Sequence, residues 1–519
     1  MGRGVSNKNL VLAAMVFAVA MIFIDQTIVA IAIPRLRLEL GLSATGAQWI
    51  INGYLLALSA LFAFGGKLAD VVGRRRMVVI GTIGFAIASA LCGATPKGSA
   101  AETWIIVFRV LQGAFAALMF PAAVGIVVAS FPLRERGKAM AIFFGISGGL
   151  TAIGPIAGGY LTQWTWRSIF WINVPVAIIA LILVWLSKPD DTKHPAGLDY
   201  RGTVLITGAM GLVVLGLQQS AVWGWGSVAT WACIVVGLLL GVAFLSWERR
   251  CPQPLLNLKI FRDRGFSAET AVLGLMSITF VPFFFFASIY AQVSLGKSAS
   301  EAGLYILYFF IGFVVASQIG GRILDQQGAR LAVVLGGAIG AVGFFLLAGK
   351  VTDLNINSQW YYIALAGAGP GLILATASTD AVNRAPSSGY SEVTGITQTA
   401  RNFGGSFGLA VMGAILVSLD KTNVTNALTK AGVPTSTAHH VAASFGQGAA
   451  GSASGHSGAL VHSVRLAFAD SIQTIFYIMA GVMAVTFVVA VRFVPPGRVE
   501  PQEVLDAVSA PEPAQQVPS

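Results

Sequence analysis

Fourteen apolar segments of about 19 residues or more divide the chain, and each is long enough to cross a lipid bilayer as a helix. Only 11% of the residues are charged, whereas about 25% are charged in a typical soluble protein. Inside lipid the backbone must satisfy its own hydrogen bonds, which favours helices. We therefore predict an all-α integral membrane protein with transmembrane helices near 10–33, 48–66, 76–94, 103–131, 138–163, 167–187, 202–220, 228–247, 266–294, 300–321, 331–349, 360–383, 393–419 and 470–493.

One charged stretch recurs at a fixed offset of 255 residues. Residues 65–76 read GGKLADVVGRRR and follow the second apolar segment, and residues 320–330 read GGRILDQQGAR and follow the tenth. This recurrence indicates two copies of one six-helix half, with the seventh and eighth segments belonging to neither. The expected divisions are a first half at 1–200, two linker helices at 201–264, a second half at 265–494 with a long extracytoplasmic loop near 420–469, and a disordered cytoplasmic tail at 495–519.

The recurring stretch has the chemistry of a hinge between two helices. Its paired glycines allow two helix backbones to approach closely, and its third glycine permits a tight turn. The aspartate can pair with a following arginine. A charged loop at the membrane surface is the alternative for either copy taken alone. Because the pattern returns in register, we predict a conformational switch formed by Gly66, Asp70, Gly73, Arg74, Arg75 and Asp325.

The distribution of basic residues predicts the orientation of the chain. With the N-terminus inside, 22 of the 33 lysines and arginines fall on the cytoplasmic side and nine outside, which leaves Arg109 and Arg401 within segments. An excess of basic residues marks cytoplasmic loops, so we expect both termini in the cytoplasm of a multi-pass cell-membrane protein. The net charge of +11 lies between segments, so its expected partner is the anionic lipid surface and not nucleic acid.

Catalytic and metal-binding signatures are absent from plausible contexts in the sequence. The triplet Gly296-Lys297-Ser298 lacks the upstream glycine of a phosphate-binding loop, so ATP hydrolysis is not expected and the chain is not predicted to be an enzyme. Four histidines fall in the 420–469 loop without accompanying cysteines, which favours a flexible polar loop over a metal site. No cofactor or metal is predicted.

Two ionisable residues lie deep inside apolar segments at similar depths. Asp25 is about 12 Å and Arg109 about 9 Å from the same surface, at 1.5 Å of helix rise per residue. Charged groups inside a bilayer are costly and mark functional sites by default, although a structural ion pair between these two is the alternative. Asp380, Asn383 and Glu392 lie at segment ends, where solvation at the surface is the favoured interpretation.

Polar and aromatic residues in several segments are candidates for a substrate cavity. Gln398 and Asn402 are neighbours of the second intramembrane arginine, Arg401. The run of four phenylalanines at 283–286 either lines a cavity or faces lipid, and the sequence does not separate these two placements. The candidate cavity residues are Asp25, Asn52, Tyr54, Gln112, Phe284, Gln398, Arg401 and Asn402.

Glycines recur at four-residue spacing between Gly145 and Leu161, within the fifth segment. This spacing places small residues on one helix face, and Pro155 stands in the interior of the segment. We predict close helix contact and a kink, either for packing alone or for smooth contact between moving halves.

Five motifs in order resemble the major facilitator superfamily, and within it the fourteen-helix drug:proton antiporters. Besides the stretch at 66–75, these are DxTIVxIAIP at 25–34, RxxQG at 109–113, GPxxGG at 154–159 and WRxIFxINVP at 166–175. The resemblance implies a major facilitator fold of two pseudo-symmetric six-helix bundles plus two extra helices. It also implies that an antiporter motif is formed by Gly154, Pro155, Gly158 and Gly159.

The resemblance further implies export of hydrophobic, often cationic compounds in exchange for protons, as in multidrug efflux and antibiotic resistance. The sequence departs from the pattern at Val71, where a base is usual, and has no mid-membrane carboxylate in the thirteenth segment. We predict that Asp25 is the proton-coupling carboxylate and Arg109 its electrostatic partner. The alternative function is export or flipping of an endogenous amphiphile such as a lipid, siderophore or antibiotic. Expected partners are a small-molecule substrate, protons and membrane lipids, and we expect a monomer.

Overall fold

A computed structural model describes residues 8–131, 133–189, 197–256, 258–384, 390–430 and 458–498, and their regular elements are all helices. The α-helices of these residues are α1 (Lys8–Leu40), α2 (Ala44–Val72), α3 (Arg74–Gly93), α4 (Ala101–Ser130), α5 (Leu133–Trp164), α6 (Ser168–Trp171), α7 (Asn173–Ser187), α8 (Tyr200–Trp223), α9 (Val228–Glu248), α10 (Arg264–Val293), α11 (Ala299–Gln327), α12 (Ala329–Val351), α13 (Trp360–Asn383), α14 (Tyr390–Lys430) and α15 (Gly458–Phe493). Two short 3₁₀ helices, Leu258–Arg262 and Ile356–Ser358, lie in connections.

The predicted all-helical membrane architecture is confirmed. In the described part of the chain, 13 spans are long and apolar enough to cross a membrane, with α6 and α7 counted together as Ser168–Ser187. In addition, α5 is a helix of 32 residues at the position of the fifth predicted segment. Each of the fourteen predicted segments therefore corresponds to a helix, or in the sixth case to a helix pair.

The two halves repeat one pattern of neighbouring helices. In the first half α2 and α3 pack on α4, α1 packs on α5 and α7, and α3 packs on α7. In the second half α11 and α12 pack on α13, α10 packs on α14 and α15, and α12 packs on α15. Each contact of the first half thus has its counterpart in the second. This pseudo-symmetry accounts for the recurrence of the charged stretch.

The halves meet through helices that the pseudo-symmetry relates. Helix α2 packs along α14, α5 packs against α11, and α1 packs against α10. The bundle has two ends, which we call the Asp70 end, where α2 connects to α3, and the Glu102 end, where α3 connects to α4. The contacts between α5 and α11 that the glycines permit lie towards the Glu102 end, where Gly159 lies against Ser300 and Gly303 against Pro155.

The helix pair α8 and α9 lies outside both halves. The two helices pack on each other, and α8 also contacts α2 and α14. Buried polar groups fix this attachment, because Asn52 of α2 donates to the Gln218 side chain of α8, whose amide in turn donates to the Thr45 carbonyl at 3.1 Å. Hydrogen bonds between buried side chains specify one docking geometry more sharply than apolar packing does.

The last two long helices differ from the expected bounds. Helix α14 runs on to Lys430 and α15 begins at Gly458, so helical backbone covers both flanks of the segment expected to be a loop at 420–469. The predicted segment ends at 419 because the mean hydropathy falls where polar residues follow. The helix nevertheless continues, since Val424 and Leu428 extend the buried face of α14 at 1% exposure each. The rest of that segment, including His439, His440 and His456, and most of the expected tail at 495–519 lie outside the described residues.

Candidate functional site

A charged triad lies buried between α1 and α4 in the first half. Arg109 Nη1 donates to Asp25 Oδ2 at 2.5 Å and to Gln112 Oε1 at 2.7 Å. Gln112 Nε2 donates to Asp25 Oδ1 at 3.0 Å. The three residues are no more than 1% exposed. Arg109 and Gln112 are three residues apart on one helix, so both face the same residue of α1.

Helix α2 completes the surroundings of the Arg109 guanidinium. The Arg109 Nε donates to the Ile50 carbonyl at 2.8 Å, and the Arg109 Cζ lies 4.3 Å from the centroid of the Tyr54 ring. The centroid of the Phe170 ring lies 5.9 Å from the same Cζ. Cation–π contacts of this kind strengthen when they are shielded from water. The arginine is thus held by a carboxylate, an amide, a carbonyl and an aromatic face.

The triad has the parts needed to take up and release a proton. Both Asp25 oxygens accept hydrogen bonds, and both donors belong to the same helix. Removing one partner of a buried ion pair typically costs about 3–5 kcal/mol. A protonated Asp25 would lose much of its attraction to Arg109, so a change in the distance between α1 and α4 would couple to proton binding.

The glycines of α5 connect this triad to the second half. Gly154 lies directly against Thr27 and Gly158 against Ile28 of α1, with no room for a Cβ atom. On another face of α5, Gly159 lies against the backbone of Ser300 on α11. At the same junction Gln163 Nε2 donates to Ser300 Oγ at 2.5 Å. Helix α5 therefore touches both the Asp25 helix and the opposite half through residues without side chains.

The predicted switch at the Asp70 end has different side-chain partners in its two copies. Asp70 Oδ1 accepts from Arg74 Nε at 3.0 Å and Nη2 at 2.9 Å, and Arg74 Nη1 donates to the Gly125 carbonyl of α4 at 3.2 Å. The side chain of Asp325 is exposed and has no hydrogen bond or ion pair to the described residues. The backbone does repeat, since Gly73 (φ +118°) and Gly328 (φ +87°) both link two helices in conformations that favour glycine. Gly66 lies beside Pro121, and Arg75 lies in the first turn of α3.

The connection from α9 to α10 is fastened beside this switch. Lys67 donates to the carbonyl of Gln253 at 3.2 Å and to that of Pro254. Glu248, at the end of α9, accepts from the backbone N–H groups of Leu255 at 3.2 Å and Leu256 at 3.1 Å. Both leucines are buried in an apolar cluster that includes residues of α8, α10, α13 and α14. The charged stretch of the first half thus holds the chain segment that leads into the second.

In the second half, the phenylalanines of α10 are buried inside the bundle. Phe283 stacks on Phe309 at 4.3 Å between centroids, and Phe284 stacks on Phe310 at 5.2 Å. Phe283 to Phe286 are no more than 3% exposed, which excludes a lipid-facing position. Offset stacking of aromatic rings stabilises such a cluster beyond its burial alone.

The polar residues predicted on the thirteenth segment lie together on α14. Arg401 Nη1 donates to Gln398 Oε1 at 2.7 Å, and Gln398 and Asn402 are buried. Of the other candidate cavity residues, Tyr54 and Gln112 join the Asp25 triad. The side chain of Asn52 instead binds Gln218 on α8. The candidates other than Phe284, which stacks on Phe310, therefore form two groups, one in each half, with Asn52 in neither.

Several buried carboxylates were missed in the sequence, among them Asp380, which was expected to be solvated at the surface but is 1% exposed and pairs with Arg384. Glu269 of α10 is fully buried, and neither of its carboxylate oxygens has a hydrogen-bond partner in the described part of the chain. Asp420 of α14 is 5% exposed and lies near enough to Arg37 of α1 for their charges to interact across the halves. Glu269 falls just inside a predicted transmembrane segment, so its place in the sequence could have identified it. Asp420 follows the predicted end of a segment, so its place in the sequence could not.

Similarity to known proteins agrees with this architecture. Residues 15–409 match the model of the Major Facilitator Superfamily. The tetracenomycin C resistance and export protein of Streptomyces glaucescens is 36% identical over 413 residues, which are 78% of this chain and 76% of that protein. The puromycin resistance protein of Streptomyces alboniger is 33% identical over 415 residues, 78% and 81% of the two chains. The multidrug transporter MdtP of Bacillus subtilis is 30% identical over 423 residues, 79% and 76%.

Solved structures resemble the fold at lower identity. A bacterial homologue of the lysosomal transporter Spinster has a TM-score of 0.63 at 16% identity and covers 94% of this chain and 97% of its own. A D-xylose–proton symporter has a TM-score of 0.61 at 12% identity, with 94% and 98% covered. From its helices, its repeat and these matches, the chain belongs to the major facilitator superfamily and is a multi-pass membrane transporter.

Proposed function

We propose that the protein exports small hydrophobic or cationic drug-like compounds in exchange for protons. The observation that carries the proposal is the buried triad, in which Asp25 lies within α1 with Arg109 and Gln112 as its partners. An ionisable group inside a transporter's span marks a proton or substrate pathway by default. The names of the relatives, which concern antibiotic resistance and multidrug transport, support the substrate class.

Exchange follows from competition for one carboxylate. When the site faces an acidic outside, Asp25 takes up a proton and the substrate leaves. When the site faces inside, Asp25 releases the proton and a cationic or polar-tipped substrate takes its place. Alternating access then reduces to relative motion of the two halves about a fixed site. The α5 contacts at Gly154, Gly158 and Gly159 suit such motion, because smooth helix surfaces can shift without interlocking side chains.

The proposal includes a topology and a location. Both termini lie in the cytoplasm, so the Asp70 end faces inside and the Glu102 end faces outside, as the distribution of basic residues indicates. The transporter works as a monomer in the cell membrane, with its basic loops against anionic lipid. The helices α8 and α9 lie outside both halves and join them as a linker.

A second candidate function is export of one endogenous antibiotic or other amphiphile. The relative with 36% identity is named for resistance to and export of a single compound, tetracenomycin C. A narrow substrate range would leave the proton step unchanged. Competition among unrelated drugs for transport separates a broad exporter from a narrow one.

Transport of rhodamine 123, a fluorescent lipophilic cation, into inverted membrane vesicles tests proton-driven export. We expect the parental protein to accumulate the dye when the lumen is acidic and to lose it when a proton carrier collapses the gradient. Asp25→Asn removes the titrating group, so gradient-driven accumulation should fall to the level of vesicles without the transporter. The variant should still insert, and it should still exchange bound dye for free dye without a gradient.

The matched control is Asp353→Asn, which removes a carboxylate that is exposed and pairs with Lys350. It should transport at the parental rate. Asp25→Glu keeps the charge and should retain part of the activity, which separates loss of coupling from loss of folding. Full gradient-driven transport by Asp25→Asn would place the coupling carboxylate elsewhere, with Asp380, Glu392 and Glu269 as the next residues to replace.

A further inference from the structure

Arg401 of α14 is a cation inside a membrane span without an acidic partner in the described part of the chain. One of its five N–H donors binds Gln398 Oε1 at 2.7 Å. Its Nε is buried without a hydrogen-bond partner. No acidic group of the described residues forms an ion pair with Arg401, in contrast to Arg109, which pairs with Asp25. Arginine presents a planar fork of donors that matches carboxylate oxygens, and most of this fork has no hydrogen bond to the described residues.

The packing of α14 fixes which way this group faces. Thr399 donates to the Ser59 carbonyl of α2 at 3.4 Å, and Gly408 lies against the backbone of α10. Ile396 belongs to the apolar cluster that contains Ile206 of α8. Three sides of α14 are thus occupied by one helix of each half and by the linker helix, and α15 packs on α14 as well, with Asn423 donating to Ser471 Oγ at 3.1 Å towards the Lys430 end.

The fourth side of α14 carries the polar group. Successive helix residues are about 100° apart, so Gln398 points about 200° away from Ile396, which is the direction opposite to α8. Asn402 follows one turn later on the same side. Because α2 and α10 belong to different halves, this side faces the space between the halves. Arg401 itself leaves α14 about 140° from Ile396, on the side towards α10, and its guanidinium reaches the polar side through the hydrogen bond to Gln398.

We propose that Arg401 binds an anionic group of the exported substrate, such as a carboxylate or a phenolate. The inference rests on the proposed export function and specifies its substrate class as amphiphiles that carry an acidic group. Gln398 positions the guanidinium, and the unused N–H donors supply charge-assisted hydrogen bonds to the anion. Among hydrophobic or cationic compounds, an arginine without an acidic partner in the described residues favours those that also carry a negative charge.

Two dyes that differ at one group test the assignment by equilibrium binding to the full-length protein in lipid nanodiscs. Rhodamine 110 carries a carboxylate, and rhodamine 123 is its methyl ester. The parental protein should bind rhodamine 110 about tenfold more tightly, since a hydrogen bond to a charged group contributes enough for one order of magnitude. Equal affinities for the two dyes on the parental protein would overturn the proposal.

Variants then locate the preference. Arg401→Gln should lower the affinity for rhodamine 110 about tenfold and leave that for the ester unchanged. Arg401→Lys keeps the positive charge and should retain most of the preference even if the glutamine variant does not fold. Arg492→Gln removes an exposed basic residue at the end of α15 and should behave as the parental protein. A carboxylate preference that persists in Arg401→Gln would also overturn the proposal.

The binding measurement is independent of proton coupling. If the parental protein showed no gradient-driven transport but still preferred rhodamine 110, the proposed function would be contradicted and the anion site would not. If it showed gradient-driven transport but bound both dyes equally, the anion site would be contradicted and the proposed function would not.

Discussion

Asp25 and Arg401 are both ionisable side chains inside membrane spans, but they differ in their hydrogen-bond and ion-pair partners. Asp25 is bound by Arg109 and Gln112 within its own half, whereas Arg401 has an amide and no carboxylate among the described residues. A paired group suits a switch that changes charge, because its partner moves away or approaches. An unpaired group suits recognition of a ligand that brings the opposite charge.

Residue type and depth were sufficient to predict the pairing of Asp25 with Arg109, because few ionisable residues compete inside the spans. The direction in which a side chain points can be predicted only when the position of the neighbouring helix is known. Asn52 lies two residues from Tyr54 in the sequence, yet its amide turns to Gln218 of α8 while Tyr54 faces Arg109. Successive residues on a helix point about 100° apart, so closeness in sequence does not place two side chains in one cavity.

Asp70 and Asp325 provide a matched pair of substitutions. From the sequence we expected both to bias the conformational change. The structure gives Asp70 two hydrogen bonds from Arg74 and leaves Asp325 exposed without a described partner. Asp70→Ala should slow transport about tenfold, as expected for loss of a charge-assisted hydrogen bond, and should leave equilibrium substrate affinity within twofold. Asp325→Ala should transport within twofold of the parental rate.

Transport rates and equilibrium binding measured on the same preparations of both variants check this difference. Equal losses of rate in the two variants would mean that pseudo-symmetric position, and not the Asp70–Arg74 contact, governs the switch.

Helix α5 contacts both the helix that carries Asp25 and the opposite half. Its faces carry Gly154 and Gly158 against α1, and Gly159 against α11. Close approach of backbones between halves is possible only where side chains are missing. In the proposed alternating-access cycle, a methyl group added at this contact acts on the conformation that is closed at the Glu102 end.

Gly159→Ala should weaken the closed state at the Glu102 end, because its Cβ would collide with the backbone of Ala299 and Ser300. Overpacking of this kind costs about 1–3 kcal/mol, which corresponds to roughly a tenfold shift in population. Cysteines at positions 163 and 300 report the contact, since Gln163 and Ser300 are hydrogen-bonded at 2.5 Å. In a background lacking Cys92, Cys233 and Cys251, we expect the yield of the cross-link to fall.

The control for this substitution is Gly321→Ala on α11, where an added Cβ meets no atom within 4 Å. It should cross-link as well as the parental protein. Unchanged cross-linking in Gly159→Ala would show that the contact between α5 and α11 tolerates a methyl group in the closed state.

The bounds of most helices could be predicted because the change from apolar to charged residues occurs where a helix leaves the membrane. The bounds of α14 and α15 could not, since both helices continue past their apolar segments. A helix of 41 residues spans about 62 Å, roughly twice the hydrocarbon thickness, so hydropathy detects only its middle. Burial of Val424 and Leu428 is what extends it, and such packing is visible only in three dimensions.

The arrangement of the whole molecule followed from one repeat in the sequence. An offset of 255 residues between two charged stretches predicted two halves, and the repeated pattern of helix neighbours has the same pairing. The position of α8 against α2 and α14 did not follow from the sequence. It depends on the polar contact through Gln218 and on the apolar cluster around Leu255, neither of which has a sequence signature.

Exchange on Asp25 requires that substrate and proton compete for this carboxylate. Proton release on substrate binding measures the competition itself, because it needs neither a gradient nor a conformational cycle. Rhodamine 123 is added to the purified transporter in weakly buffered solution near the pH at which Asp25 is half protonated, and the change in pH is recorded. We expect proton release by the parental protein and by Asp353→Asn, and none by Asp25→Asn. Binding of the dye to the parental protein without proton release, or equal release by Asp25→Asn, would contradict exchange on Asp25.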